Sequence, residues 1–240
     1  MAPRLLVIMA LLVVSMQSYA SCVVLLHGLA RTARSMNDME TALTQQGFVV
    51  ANIDYPSRKK TVEELSTQAV SAGVSDCQKA RATPISFVTH SLGGILVRYY
   101  LANQEIENLG HVVMLAPPNK GSEVVDTLAS VPGFKLFNGP AGVQLGTDPL
   151  SIPSQLGPVN FSLGVIAGRK TFNPILSQFL PNPDDGKVSV ESTKVEGMSD
   201  FLVVDVSHPF IMQDKNVIEK TIEFLHNGKF SAESIGTVVD

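Results

Sequence analysis

Six short, largely apolar runs punctuate the chain: CVVLLHG (22–28), FVVANIDYP (48–56), PISFVTHS (84–91), HVVMLAPP (111–118), FSLGVIAG (161–168) and FLVVDVSHP (201–209). Runs this short and this continuously apolar suit strands covered on both faces, because a strand with one wet face would alternate. Longer amphipathic segments lie between them at 35–47, 61–80 and 92–104, and a last one follows at 214–228. Gly47 and Gly228 close two of these segments. Thr61, with Glu64 three residues on, has the capping-box pattern of a helix start. Strands alternating with helices in this rhythm predict an α/β domain: a mostly parallel central sheet of about six strands, helices on both faces.

The stretch from about 123 to 160 breaks the rhythm. It is rich in Gly and Pro, with scattered apolar residues. Long irregular loops in compact domains are usually functional, so 123–160 reads as a lid-like insertion over the sheet; a plain surface excursion is the competing reading. With it, residues 21–240 make one domain, a size that supports a substantial core.

Residues 1–20 are set apart. Arg4 precedes the apolar run LLVIMALLVV, and Ser18 and Ala20 are small residues at the −3 and −1 positions of a cleavage site. This is the pattern of a secretory signal peptide cut near Ala20, which predicts a periplasmic or secreted protein. The run is shorter than the roughly 20 residues of a membrane span. A lipidated Cys22 is the alternative use of this segment, opposed by Tyr19 and by the lack of a tether before the first strand. Cys22 and Cys77 are the only cysteines, and two cysteines in an exported chain suggest one disulfide. No Cys/His cluster has zinc-ligand spacing. The net charge of −4 comes with no Lys/Arg block, which argues against a nucleic-acid partner.

The chemistry concentrates in FVTHSLGGILVRYYL, residues 87–101. Ser91 ends a strand and begins a helix, and such a sharp turn lifts a serine side chain out of the sheet's C-terminal edge. Gly93 meets the need for a small residue two positions on, whereas Thr89 occupies the position where Gly-x-Ser-x-Gly has its first glycine. A serine nucleophile needs a base. His90 points to the opposite face from its neighbour Ser91. His208, after the last strand, is at the correct end of the sheet. Asp184 and Asp185, in the turn NPDDGKV, are the candidates for the acid that orients it. The Leu92 N–H at the helix start and the Leu29 N–H in LLHGLART are the candidate oxyanion donors.

These pieces resemble the α/β-hydrolases, and in particular secreted bacterial lipases and serine esterases. The likeness rests on VVLLHGL, VTHSLGGILVRYYL, LAPPNKGS, DDGKV and SHPF, and spans nearly all of residues 22–228. It implies Ser91 as nucleophile, His208 as base and Asp185, before a glycine, as acid, with Leu29 and Leu92 forming the oxyanion hole. It implies hydrolysis of carboxylic esters, lipid or acyl esters foremost, through an acyl-enzyme. A thioesterase or acyltransferase could use the same residues, and a catalytically silent binding protein is the rival from another class. The resemblance calls for no organic cofactor and no catalytic metal, while some relatives carry structural calcium. Its partners are small ester or lipid molecules, with transient contact at a lipid surface. It further implies that Cys22 and Cys77 lie together at the bottom edge of the sheet and form the disulfide. Arg31 and Arg34 read as solvated surface charge in preference to head-group contacts.

Overall fold

A computed structural model describes residues 20–171 and 174–231. The proposed leader at 1–20 lies outside these residues except for Ala20. In chain order the elements are β1 (Cys22–Leu26), α1 (Asn37–Gln45), β2 (Val49–Ile53), α2 (Val62–Lys79), β3 (Ile85–His90), α3 (Leu92–Asn103), β4 (Leu109–Leu115), α4 (Glu123–Leu128), α5 (Phe134–Val143) and α6 (Ile152–Gln155). They continue with β5 (Leu163–Gly168), α7 (Pro174–Ser177), α8 (Val190–Thr193), β6 (Asp200–Val204) and α9 (Lys215–Asn227).

All six strands pair in parallel, in the order β2-β1-β3-β4-β5-β6. Alternate strand residues serve two cores. Val24, Leu26, Phe87, Val112 and Met114 pack with Leu65 and Val70 of α2 and Leu92 and Leu96 of α3. Val23, Leu25, Val88, Val113 and Leu115 pack on the other face with Met39 and Leu43 of α1 and Val217 and Phe224 of α9. Burial on both faces is why the strands lack alternation.

The chain runs from β1 outward to β2, then returns across β1 to place β3 on its far side. The C-terminal ends of β1 and β3 therefore flank the point where strand order reverses, where open α/β sheets form a ligand crevice. The β1–β3 register sets Leu26 beside Thr89, so the loops after both strands start level with each other.

Local signals behave as their chemistry dictates. Thr61 and Glu64 cap α2 reciprocally, and Asp214 caps α9 through the Val217 N–H. Gly228 closes α9 with a φ of 69°, in the left-handed region that favours glycine. Cys22 and Cys77 form a disulfide joining the start of β1 to the last turn of α2. The Cys22 sulfur is thereby committed, which removes the lipidation reading.

One expectation is corrected. The stretch 123–160 is not an irregular loop: it carries α4, α5 and α6. Its helices are short because Gly133 (φ 92°) starts α5 and Gly139, at a non-helical φ of 69°, with Pro140 kinks it. The segment is tied down by Ala141 N–H to the Lys60 carbonyl, Ser122 N–H to Leu145 and Ile152 N–H to Gln144.

Candidate active site

Ser91 sits at the β3–α3 junction with φ 51° and ψ −117°. A serine held at positive φ costs of order 1–3 kcal/mol, so the surroundings must enforce it. The Ser91 N–H donates to the Leu115 carbonyl of the next strand at 2.9 Å. The turn is tight: a Cβ at Gly93 would lie 2.6 Å from the Leu26 carbonyl oxygen. A Cβ on Gly94 would lie 3.1 Å from Met114 Sδ and Pro117 Cβ and 3.3 Å from the buried Thr89 Oγ1, so this glycine lets α3 pack closely over β3 and β4 with Thr89 in place.

His208, in the loop after β6, turns Nε2 to Ser91 Oγ at 3.1 Å and Nδ1 to Asp185 Oδ2 at 2.7 Å. The hydrogen bonds assign the protons: Nδ1–H donates to the carboxylate, and the free Nε2 accepts from the serine hydroxyl. The other oxygen of Asp185 accepts the N–H groups of Lys187 and Val188 at 3.0 and 2.8 Å, and its carbonyl accepts the His208 N–H at 3.0 Å. Asp184 turns away, held by the Gly186 N–H at 2.7 Å and the Ser177 hydroxyl at 2.5 Å. Of the two aspartates, only Asp185 meets His208. All three relay residues are buried.

The N–H groups of Leu29 and Leu92 have no hydrogen-bond partner among the described residues. Leu92 is the first residue of α3, where a helix leaves its amides unpaired and its dipole favours negative charge. The loop carrying Leu29 is fixed by the Ala30 N–H donating to Ser57 Oγ at 3.1 Å. Gly28 is needed here, since a Cβ on it would lie 2.6 Å from His90 Nδ1.

His90 has a part that sequence reasoning missed. Its Nε2–H donates to the His208 carbonyl at 3.1 Å, and the two rings lie 4.9 Å apart. Burial first, then the positive fields of His208, Arg31 and Lys187, hold its pKa well below the ordinary histidine value, so it is neutral. Pointing away from Ser91 disqualified it as a base, and nothing in the local sequence reported a contact 118 residues away. Arg98 was also missed. Buried on α3, it donates to the Asn119 carbonyl at 2.8 Å and the Gly157 carbonyl at 2.6 Å, clamping the loop after β4; burial lowers its pKa to about 10.

A cleft of about 260 Å³ opens over Ser91, with Leu29, Val125, Leu128, Phe134, Leu145 and Leu176 among its walls. Arg31 also lines it, with Nη2 bound to the Pro209 carbonyl at 3.1 Å, so this arginine is not the free surface charge that was expected. Arg34 is exposed and lies outside the cleft. Among the described residues, no group of three or more His, Cys, Asp or Glu side chains could hold a metal ion.

A comparison with curated proteins returns no match. Among solved structures, the fold is similar to that of the mature lipase BlEst2 of Bacillus licheniformis, with a TM-score of 0.70 at 16% identity over 86% of this chain and 92% of that one. It is similar to the esterase Pf2001 of Pyrococcus furiosus (TM-score 0.62, 18% identity, 87% of this chain and 82% of that one). It is also similar to the phospholipase PlaB of Legionella pneumophila (TM-score 0.60, 18% identity, 87% of this chain and 62% of that one). At these identities the likeness is one of fold, and it is the α/β-hydrolase fold. The sequence family described as palmitoyl protein thioesterase matches residues 22–147, just over half of the chain. The chain therefore belongs to the palmitoyl protein thioesterase family of α/β-hydrolases.

Proposed function

We propose that the chain is an exported serine hydrolase of carboxylic esters that works through an acyl-enzyme. The observation that carries this reading is the unbroken relay from Ser91 Oγ to His208 to Asp185, at a strained junction over an apolar cleft. Ser91 Oγ attacks the acyl carbon while His208 Nε2 takes its proton. Asp185 holds the His208 tautomer and stabilises the imidazolium. The carbonyl oxygen, now negative, takes the free N–H groups of Leu29 and Leu92; in hydrolases of this kind one such donor stabilises the transition state by about 2.7–4 kcal/mol. His208 then protonates the leaving group. Water, activated by the same imidazole, releases the acid and restores Ser91.

The family description favours a second reading at the same site, hydrolysis of thioesters. The relay serves either, because a thiolate leaves with less help from His208 than an alkoxide does. A silent binding protein is disfavoured, since no member of the relay is missing. The apolar residues Leu136 and Phe137 of α5 are 83% and 68% exposed while Phe134 of the same helix lines the cleft, which supports transient contact with a lipid surface. Export is supported by the leader pattern at 1–20 and by the disulfide.

The test is hydrolysis of a p-nitrophenyl ester series, short to long acyl chain, and of matched acyl thioesters, by the mature protein and by Ser91→Ala. The expected result is a loss of at least about a thousandfold in Ser91→Ala, with fluorophosphonate labelling of the unsubstituted protein alone. Equal activity in both proteins, or no activity and no labelling, would refute the serine mechanism.

A further inference from the structure

The walls of the cleft carry an unbalanced charge. Arg31 and Lys187 both line it beside Ser91 and His208, and no Asp or Glu does. The nearest carboxylate, Asp185, is committed to His208 and to two backbone N–H groups. Arg31 spends one N–H on the Pro209 carbonyl, which fixes the guanidinium and leaves donors free. The Lys187 ammonium has no hydrogen-bond or ion-pair partner among the described residues. The Lys187 side chain is exposed at the cleft edge; desolvation, then the charge of Arg31, lower its pKa from the ordinary lysine value, and the Asp185 carboxylate opposes them. Two cations are thus held near one another, with the Asp185 carboxylate, already committed to His208 and two backbone N–H groups, the negative charge acting on Lys187, in a chain whose net charge is −4.

Their position also gives a direction. Arg31 is tied to the residue after His208, and Lys187 is two residues from Asp185. They line the cleft on the side of the loops that carry His208 and Asp185, whereas the apolar walls Val125, Leu128 and Phe134 come from α4 and α5. Resting on the hydrolase reading above, we infer that Arg31 and Lys187 form an anion subsite on the leaving-group side: the substrates are acyl esters or thioesters whose alcohol or thiol portion carries a phosphate or carboxylate close to the scissile bond. The acyl chain lies on the apolar walls. The anion takes charge-assisted hydrogen bonds from the guanidinium and ammonium, which are stronger than neutral ones.

The experiment compares matched anionic and neutral esters on the full mature protein. One pair is 1-octanoylglycerol 3-phosphate against 1-octanoylglycerol. The other is 4-nitro-3-octanoyloxybenzoate against 2-nitrophenyl octanoate. The readout is the anionic-to-neutral ratio of kcat/KM within each protein, which a partly misfolded sample leaves unchanged. The expected result is a ratio above one that falls about tenfold in Arg31→Gln and in Lys187→Gln and recovers in Lys187→Arg. About 0.5 M salt should compress it in the unsubstituted protein. The pair with the larger effect tells phosphate from carboxylate. If the neutral esters are cleaved, Ser91→Ala is dead and the ratio stays within about threefold in every variant, the anion subsite falls and the serine mechanism stands. If neither member of a pair is cleaved, or Ser91→Ala keeps its activity, both fall together.

Discussion

In the proposed mechanism Ser91 depends on its neighbours for its conformation and on His208 for its reactivity, and His208 is held in turn by a second histidine, His90. The Nε2–H of His90 is the described donor to the His208 carbonyl, and its ring packs against the His208 ring. His90→Ala should therefore lower kcat about tenfold with a smaller change in KM, because it loosens the base from the edge of the cleft. His90→Gln, whose amide can reach the same carbonyl, should recover most of the loss. A His90→Ala variant with unchanged kcat, or a Gln variant no better than Ala, would make His90 merely a filler. At this scale Ser91, His208 and the Asp184/Asp185 turn were legible because each follows an apolar run and together they keep one order along the chain. Choosing between the aspartates needed a resemblance, and the hydrogen bonds then gave it a physical basis, since Asp184 is bound to Ser177 and Gly186 instead. His90 and Lys187 were not legible. Their significance lies in what they face across more than a hundred residues or across the cleft, and local pattern carries no such information.

Among the elements, β1 and α2 are linked twice, by packing and by the disulfide between Cys22 and Cys77. The bridge closes a loop of 55 residues. Chain entropy puts the stabilisation from such a loop at up to about 4 kcal/mol, and measured values commonly fall lower. Reduction should lower the melting temperature by several degrees, and Cys22→Ala with Cys77→Ala should behave as the reduced protein does; a calorimetric scan under reductant checks both. The kinked helix α5 makes a second prediction. Leu136 and Phe137 face outward from it, so Leu136→Ser with Phe137→Ser should reduce sedimentation with phosphatidylglycerol-containing vesicles at least about fivefold. Hydrolysis of a soluble short-chain ester should change far less, and equal sedimentation would remove lipid contact from this surface. The strands and long helices were readable because their periodicity is sustained and their ends are capped. The helices of 123–160 were not, because α4 and α6 span only six and four residues and α5 is broken by Gly139 and Pro140.

The whole molecule responds to pH through histidines it keeps neutral. Burial lowers the pKa of His27 and, far more, that of His90. The unfolded chain takes up protons on these side chains near pH 6.5, where the native state does not. Stability from their neutral forms is thus complete above about pH 6.5 and is lost as the pH falls below it. The slope approaches about 1.4 kcal/mol per pH unit for a group as buried as His90. Denaturant titrations from about pH 7.5 to 5.5 should show this decline, and His90→Gln should flatten it; a flat profile in the unsubstituted protein would mean that His90 is protonated in the native state. The parallel sheet and its two-faced cover were expected from the uniform apolarity of the strands. The position of β1 inside the sheet was not readable from any one segment, because strand order is a property of the crossovers.

That interior position has a practical side. Ala20, just ahead of β1, hydrogen-bonds through its carbonyl to the Thr83 N–H, beside the start of β3. At the other end of the described chain, Gly228 lies against His111, near the start of β4. Because every strand runs the same way, Ala20 and Gly228 both lie at the foot of the sheet, and the cleft opens at its head. A carrier protein, an affinity tag or a solid support joined directly at Ala20 or just after Gly228 would stand on the far side from Ser91, so the domain can be fused or immobilised at these two points with the cleft entrance left clear.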